Sequence, residues 1–204
     1  MIIPYASESL DRIAETISSG GVIGFRTDTF YGLGADPFNR EAVRRIVRIK
    51  GREGHKPILL VIAELSEVER FISAPSSAFR LLADKFWPGA LTLIGEARSE
   101  VPVEISAGSK TVGIRLPADD KVRALLTACG GALTATSANL SEKPPARSAR
   151  EVDDYFGNAI DLIVNDGEAQ TDRPSTVVDA CGDDVKLIRE GVISWSEIQR
   201  VVKP

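Results

Sequence analysis

Apolar and polar positions alternate along this chain in blocks of two different periods. Leu10, Ile13, Ala14 and Ile17 recur at helical spacing before Ser18-Ser19-Gly20-Gly21, which predicts a short amphipathic helix with a glycine stop. Val22 to Phe25 is a compact apolar run and predicts a strand. Residues 40–48 return to helical spacing, with Val43, Ile46 and Val47 on one face and Arg44, Arg45 and Arg48 off it. Ile58 to Ile62 reads as a strand. Ser76 to Phe86 reads as a second amphipathic helix, stopped by Trp87-Pro88-Gly89. Leu91 to Ile94, Val112 to Leu116, Leu133 to Thr136, Leu162 to Val164, Thr176 to Val178 and Val185 to Ile188 predict further strands, with a helix over Asp119 to Cys129. Several strands follow one another without a helix between them. The pattern therefore predicts an α/β fold whose sheet is mixed rather than purely parallel. Glu142 to Arg150, with Pro144-Pro145, is the most loop-like segment.

Composition narrows the class. With 204 residues, 43% hydrophobic and 26% charged, the chain reads as one globular domain over 1–204, long enough to bury a core without disulfides or a structural metal. Cys129 and Cys181 are far apart and lack metal-site spacing, which predicts a reducing compartment and no zinc. No apolar run approaches the roughly 20 residues of a membrane span, and the first residues lack a signal-peptide pattern. The expected setting is cytoplasmic, away from membranes. A net charge of -4 argues against a bulk nucleic-acid coat, yet leaves room for a local basic groove.

Such a local excess exists. Arg40, Arg44, Arg45, Arg48, Lys50, Arg52 and Lys56 fall within 17 residues. A helix ending in a loop rich in Lys and Arg suits a phosphate or carboxylate grip; the alternative is a solvated basic face. Arg26-Thr27-Asp28-Thr29-Phe30-Tyr31-Gly32-Leu33-Gly34 places hydroxyls, a carboxylate and glycines after a strand, as ligand contact or as a hydrogen-bonded turn. It is not a dinucleotide fingerprint, because Pro37 stands where the third glycine would fall, and the chain holds no Walker A loop. Arg115, inside Val112-Gly113-Ile114-Arg115-Leu116-Pro117, either meets an anion or snorkels at a sheet edge. Thr134 to Ser141 offers small hydroxyl and amide groups, as ligand contacts or as a cap. Pro174-Ser175-Thr176-Val177 and Ile188-Arg189-Glu190-Gly191 could add hydroxyls and a cation to the same rim. His55, the only histidine, reads as a surface loop residue. A set rich in cations and hydroxyls and poor in nucleophiles suits positioning of polyanions; a nucleoside triphosphate would bring Mg²⁺, with no protein metal site expected.

Lys50-x-Arg52 and Ser137-x-Asn139, in register with the segments above and with Phe86 to Thr92, resemble the YrdC family, whose members include threonylcarbamoyl-adenylate synthases. The resemblance runs over nearly the whole chain. It implies a twisted mixed α/β sheet around a concave basic cavity. It also implies a reaction in which L-threonine, bicarbonate (or CO₂) and ATP give threonylcarbamoyl-AMP and pyrophosphate. The product serves N6-threonylcarbamoylation of adenosine 37 in tRNA by a separate transferase complex. Carried over, Lys50 and Arg52 are the catalytic pair. Lys50, Arg52, Lys56, Ser137, Asn139 and Arg189 contact ATP. Thr29, Arg115, Ser137, Ser175 and Thr176 contact threonine. Three positions depart from the family pattern: Arg26 and Glu53 replace prolines, and Val61 stands where some members have a histidine near threonine. The extra C-terminal domain of longer synthases is expected to be missing, so Glu142 to Arg150 is the expected lid, whose deletion would raise the KM for ATP. The alternative function is a module that binds double-stranded RNA or tRNA through phosphates without synthase activity.

Overall fold

The computed structural model describes residues 1–51 and 56–202. In chain order the elements are β1 (Ile2–Pro4), α1 (Leu10–Ser18), β2 (Ile23–Arg26), β3 (Tyr31–Gly34), α2 (Arg40–Ile49), β4 (Leu60–Ile62), α3 (Ser77–Phe86), β5 (Leu91–Glu96), α4 (Val103–Ser106), β6 (Thr111–Arg115), α5 (Asp120–Ala128), β7 (Ala132–Thr134), β8 (Thr136–Ser137), α6 (Ala149–Phe156), β9 (Leu162–Asn165), β10 (Thr176–Asp179), β11 (Lys186–Arg189) and α7 (Trp195–Val202). Local chemistry sets several helix starts. Side-chain oxygens of Asn39, Ser76, Asp119 and Ser148 accept from backbone N–H groups in the first turns of α2, α3, α5 and α6. Gly20, at φ 82°, turns the chain out of α1.

The strands form two mixed sheets rather than the single sheet expected. One has the order β1-β9-β2-β3-β8, the other β11-β10-β5-β6-β4-β7. In the first, β9 runs parallel to β1 and β2, while β3 is antiparallel to β2 and β8. In the second, β5–β10 and β4–β6 are parallel pairs and the remaining pairs are antiparallel.

The expected strand over Leu133 to Thr136 breaks at Ala135. Its first half, β7, pairs with β4, and its second half, β8, pairs with β3 in the other sheet. Thr134 stitches the crossing: its buried hydroxyl accepts from Ala35 N–H at 2.9 Å and donates to Leu33 O at 3.2 Å. Arg26, on β2, reaches from the first sheet to Asp119 beyond the end of β6.

Packing divides between two apolar clusters. The larger joins Val43 and Ile46 of α2, Phe79 and Leu82 of α3, and the inner residues of β4, β5 and β6. The smaller joins Ile13 and Ile17 of α1 to Val122, Leu125 and Leu126 of α5 over Ile23, Phe25, Val61 and Leu133. Full burial of each such side chain contributes about 1.5–3 kcal/mol, which holds the two sheets around what lies between them.

Candidate active site

A cleft of about 670 Å³ opens between the sheets. Thr27, Thr29, Phe30, Tyr31 and Gly32 line one side; Thr92, Ile94 and Arg115 from β5 and β6, with Ser175, Val177 and Arg189, line the other. Lys56, Leu59, Val61, Ala135 and Ser137 are also part of its wall. Gly32 packs against the β7–β8 crossing. A Cβ there would stand 3.3 Å from Thr136 O, tighter than an ordinary contact, so a side chain would require Thr136 O to give by a few tenths of an ångström.

Two guanidinium groups set the electrostatics. Arg115 is buried at 6% exposure. Its Nη1 donates to Thr29 Oγ1 at 3.1 Å and its Nη2 is ion-paired with Asp28 Oδ1 at 3.2 Å. Thr27 Oγ1 lies 3.1 Å from Thr29 Oγ1 and donates to Phe30 O, so the loop after β2 forms a closed hydroxyl turn on the guanidinium. Arg189, at the end of β11, donates from Nη2 to Ser175 O at 2.9 Å and to Ser175 Oγ at 3.1 Å. Ser175 Oγ in turn lies 3.0 Å from Thr92 Oγ1. Burial, and then the neighbouring Arg115 charge, push the Arg189 pKa below its ordinary value. Arg remains protonated even so, and two guanidinium groups against the single Asp28 carboxylate leave a net positive field over the hydroxyls, which favours an anion carrying its own acceptors. Gly191 makes this arrangement possible, since a Cβ there would fall 2.1 Å from Pro174 O.

Lys50, 2% exposed, lies behind this surface rather than on it. Its Nζ donates to Ser137 O, to Asn139 O at 2.9 Å and to Asn139 Oδ1 at 3.1 Å. Ser137 Oγ donates to the same Oδ1 at 2.6 Å, and Ser141 Oγ donates to Lys50 O at 3.1 Å. The Lys-x-Arg and Ser-x-Asn segments therefore meet through a buried ammonium that gathers the carbonyls of the turn after β8.

A second charge cluster stands beside the Thr27 turn. Arg26, 5% exposed, donates from Nη2 to Asp119 Oδ2 at 2.7 Å and to Asp166 Oδ2, and from Nε to Asp166 O at 3.0 Å. Lys121 Nζ lies 2.9 Å from Asp166 Oδ1, which balances two carboxylates with two cations. Burial alone would raise the Asp119 pKa; the hydrogen bond and charge of Arg26, with the α5 N–H groups, outweigh it and hold the carboxyl below its ordinary value. A depressed folded pKa stabilises the fold fully above the unfolded value of about 3.9, and that stabilisation is lost as pH falls through the folded value. Asp119→Asn, which keeps the helix cap, is expected to cost about 1–3 kcal/mol near neutral pH. Its melting curve should converge on wild type as pH falls below about 4. A gap between the two curves that does not change with pH would refute the ionic account.

Several sequence-based expectations change here. Thr29, Lys56, Arg115, Ser137, Ser175 and Arg189 do line the cleft, while Lys50 and Asn139 support it from behind. Thr176 does not face the cleft. Its buried hydroxyl donates to Ile193 O and accepts from Gly191 N–H and Ile193 N–H, tying β10 to the start of the C-terminal segment. Arg52, Glu53 and His55 lie outside the described residues. The helical part of the basic run is not a free grip: Arg40 and Arg44 pair with Glu104, Arg45 with Asp161, and Arg48 with Glu41. Nor is Glu142 to Arg150 a free lid. Ala146 is fully buried, accepts from Tyr31 N–H at 3.1 Å and donates to Ala138 O at 3.0 Å, and α6 begins at Ala149. Deleting the whole segment is expected to unfold the region rather than merely raise a KM.

Thr92 is a polar cleft residue to which the sequence assigns no role. Its signals are a threonine inside the apolar run Leu91 to Ile94 and its place at the end of the Phe86 to Thr92 segment. Val61, where some family members have a histidine, contributes an apolar wall. Among the described residues no cluster of three or more His, Cys, Asp or Glu could hold a metal ion, and no helix is long and apolar enough to cross a membrane.

The sequence and the architecture match known proteins. Residues 15–191 match the family model for Sua5, YciO and YrdC, described as telomere recombination. A threonylcarbamoyl-AMP synthase of Pyrococcus abyssi is 35% identical over 186 residues, covering 91% of this chain and 55% of its own length. The present chain thus spans about half of that relative. A synthase of the same description from Halorhodospira halophila is 36% identical, covering 81% of this chain and 87% of its own. The crystal structure of P. abyssi Sua5 complexed with L-threonine superposes with a TM-score of 0.95 at 33% identity, over 100% of this chain and 61% of that one. On the family match and this likeness, the chain belongs to the Sua5/YciO/YrdC family.

Proposed function

We propose that this chain is an L-threonylcarbamoyladenylate synthase. The observation that carries the reading is the cleft itself: two guanidinium groups, Arg115 and Arg189, over the hydroxyls of Thr29, Ser175 and Ser137, beside the Lys50–Asn139 corner. Its likeness to a protein crystallised with L-threonine supports the choice of amino acid. Arg115 takes the threonine carboxylate, and the Thr29 and Ser175 hydroxyls fix its orientation. The neutral threonine amine adds to CO₂ with loss of a proton, or to bicarbonate with loss of water, to give a carbamate. A carbamate oxygen then attacks the α-phosphorus of ATP, and pyrophosphate leaves.

Both reactants are anions. Lys56 and Arg189 offset their repulsion, and Arg52 is assigned to the same task by the family pattern; such charge stabilisation is commonly the largest single catalytic effect. Lys50 acts by holding the Ser137–Asn139 turn so that Ser137, on the cleft wall, meets the nucleotide. The chain offers no carboxylate cluster for Mg²⁺ among its described residues, so the triphosphate would carry the ion, whose charge eases departure of pyrophosphate. The product would pass, in the cytoplasm, to a separate transferase acting on adenosine 37 of tRNA.

Holding RNA without chemistry is the weaker reading, because the α2 arginines are already paired with acids. The test incubates the protein with ATP, Mg²⁺, L-threonine and bicarbonate and follows threonylcarbamoyl-AMP by mass spectrometry, with each component omitted in turn. Product that requires threonine and ATP supports the synthase; no product, with RNA bound instead, overturns it.

A further inference from the structure

Arg26 is a charged residue at the last position of a buried strand, 5% exposed, and the chemistry above makes no use of it. Its surroundings are specific. Asp119 Oδ2 and Asp166 Oδ2 converge on one nitrogen, Nη2, while Nε is held by the Asp166 carbonyl and carboxylate at 3.0 and 3.1 Å. Asp166 directly follows β9, so one arm of the clamp stays within the first sheet. Asp119 caps α5 and lies four residues beyond Arg115, so the other arm reaches the second sheet just past the carboxylate-binding guanidinium. Nη1 sits 3.5 Å from Thr27 O, at the root of the turn that carries Asp28 and Thr29. Those two residues hold the two Nη atoms of Arg115.

The contacts form one chain: Asp119 and Asp166, Arg26, the Thr27–Thr29 turn, Arg115. We propose that Arg26 is a positioning residue for the substrate carboxylate, clamping the end of β2 to the segment after β6 so that Asp28 and Thr29 keep the Arg115 fork aimed into the cleft. The Arg189 side of the cleft has no part in the clamp: Arg189 is held by Ser175, and Ser175 by Thr92. The clamp therefore governs one subsite. The naming of that carboxylate as threonine rests on the proposed function; the clamp itself does not.

Two variants test it. Arg26→Met leaves two carboxylates converging on an empty position, and Arg26→Lys keeps the charge without the fork. Steady-state assays should show the KM for threonine raised about tenfold or more in Arg26→Met, with the KM for ATP within about twofold of wild type, and partial rescue in Arg26→Lys. Loss of the clamp costs about 1.4 kcal/mol per tenfold of binding. A threonine KM at the wild-type value overturns the proposal, as does a parallel rise of both KM values that tracks the fall in melting temperature. Hydrogen exchange over residues 27–33 provides a readout that needs no substrate. Faster exchange there in Arg26→Met, with β10 and β11 unchanged, supports the clamp; unchanged exchange refutes it. Should the wild-type protein form no threonylcarbamoyl-AMP, the synthase reading falls, and the exchange experiment still decides the clamp.

Discussion

Arg115→Ala should raise the KM for threonine about 100-fold, more than any other single change in the cleft. Truncating one partner of a buried, hydrogen-bonded charge pair costs about 2–5 kcal/mol, and the middle of that range corresponds to two or more orders of magnitude in affinity. Part of the loss is structural. Asp28, whose side chain is 10% exposed, would lose its cation, and Oδ1 has no hydrogen bond to fall back on among the described residues. Calorimetric titration of threonine into folded Arg115→Ala separates the two effects. Arg115→Lys sharpens the test, since it keeps the charge but cannot hold Thr29 and Asp28 with a planar fork. It should recover stability while remaining weak for threonine. Wild-type affinity in folded Arg115→Ala would remove Arg115 from the site.

The second large effect belongs to Lys50. Lys50→Ala is expected to lower turnover about 10–1000-fold, by analogy with the loss of an electrostatic stabiliser. The route is indirect. Without the ammonium, the carbonyls of Ser137 and Asn139 and the Asn139 carboxamide are left facing one another in a pocket where the lysine was 2% exposed. The turn must then open to water or rotate, and Ser137 leaves the cleft wall. Lys50→Met keeps the aliphatic stem and should be nearly as inactive; full turnover in Lys50→Met would show that the charge has no part. The KM for ATP should move more than that for threonine, because Arg115 and Ser175 are untouched.

The sequence declares most of the secondary structure where period and punctuation agree. α1, α2, α3 and α5 each show an apolar stripe, and Trp87-Pro88 and Asp119 mark their stops and starts. β3 is harder to see. Tyr31-Gly32-Leu33-Gly34 carries two glycines, which ordinary strand propensity penalises; Gly34 packs on the Phe25 ring, 2.7 Å from where its Cβ would be, and a Cβ on Gly32 would stand 3.3 Å from Thr136 O. α6 hides because its eight residues show only Ala149, Val152 and Phe156 as a buried face beside a run of acids.

The break at Ala135 has no local signal; it is decided by which sheet offers the free edge on either side. For the site, residue type was informative and direction was not. Ser175, directly before β10, and Thr176, its first residue, are adjacent hydroxyls, and the alternation of side chains along extended backbone sends one into the cleft and the other to Ile193.

The β7–β8 crossing bears on how the protein reaches its working state. Cleft residues come from positions as far apart as Thr27 and Arg189, and the partners Thr29–Arg115 and Lys50–Asn139 are separated by 86 and 89 residues. Contacts of such sequence separation close late and slowly, and no short fragment of the chain contains both walls. Competence to bind ligand is therefore a property of the finished chain. During refolding, ligand binding should trail the recovery of helical circular dichroism, making it a more stringent gauge of nativeness than any spectroscopic signal from the helices.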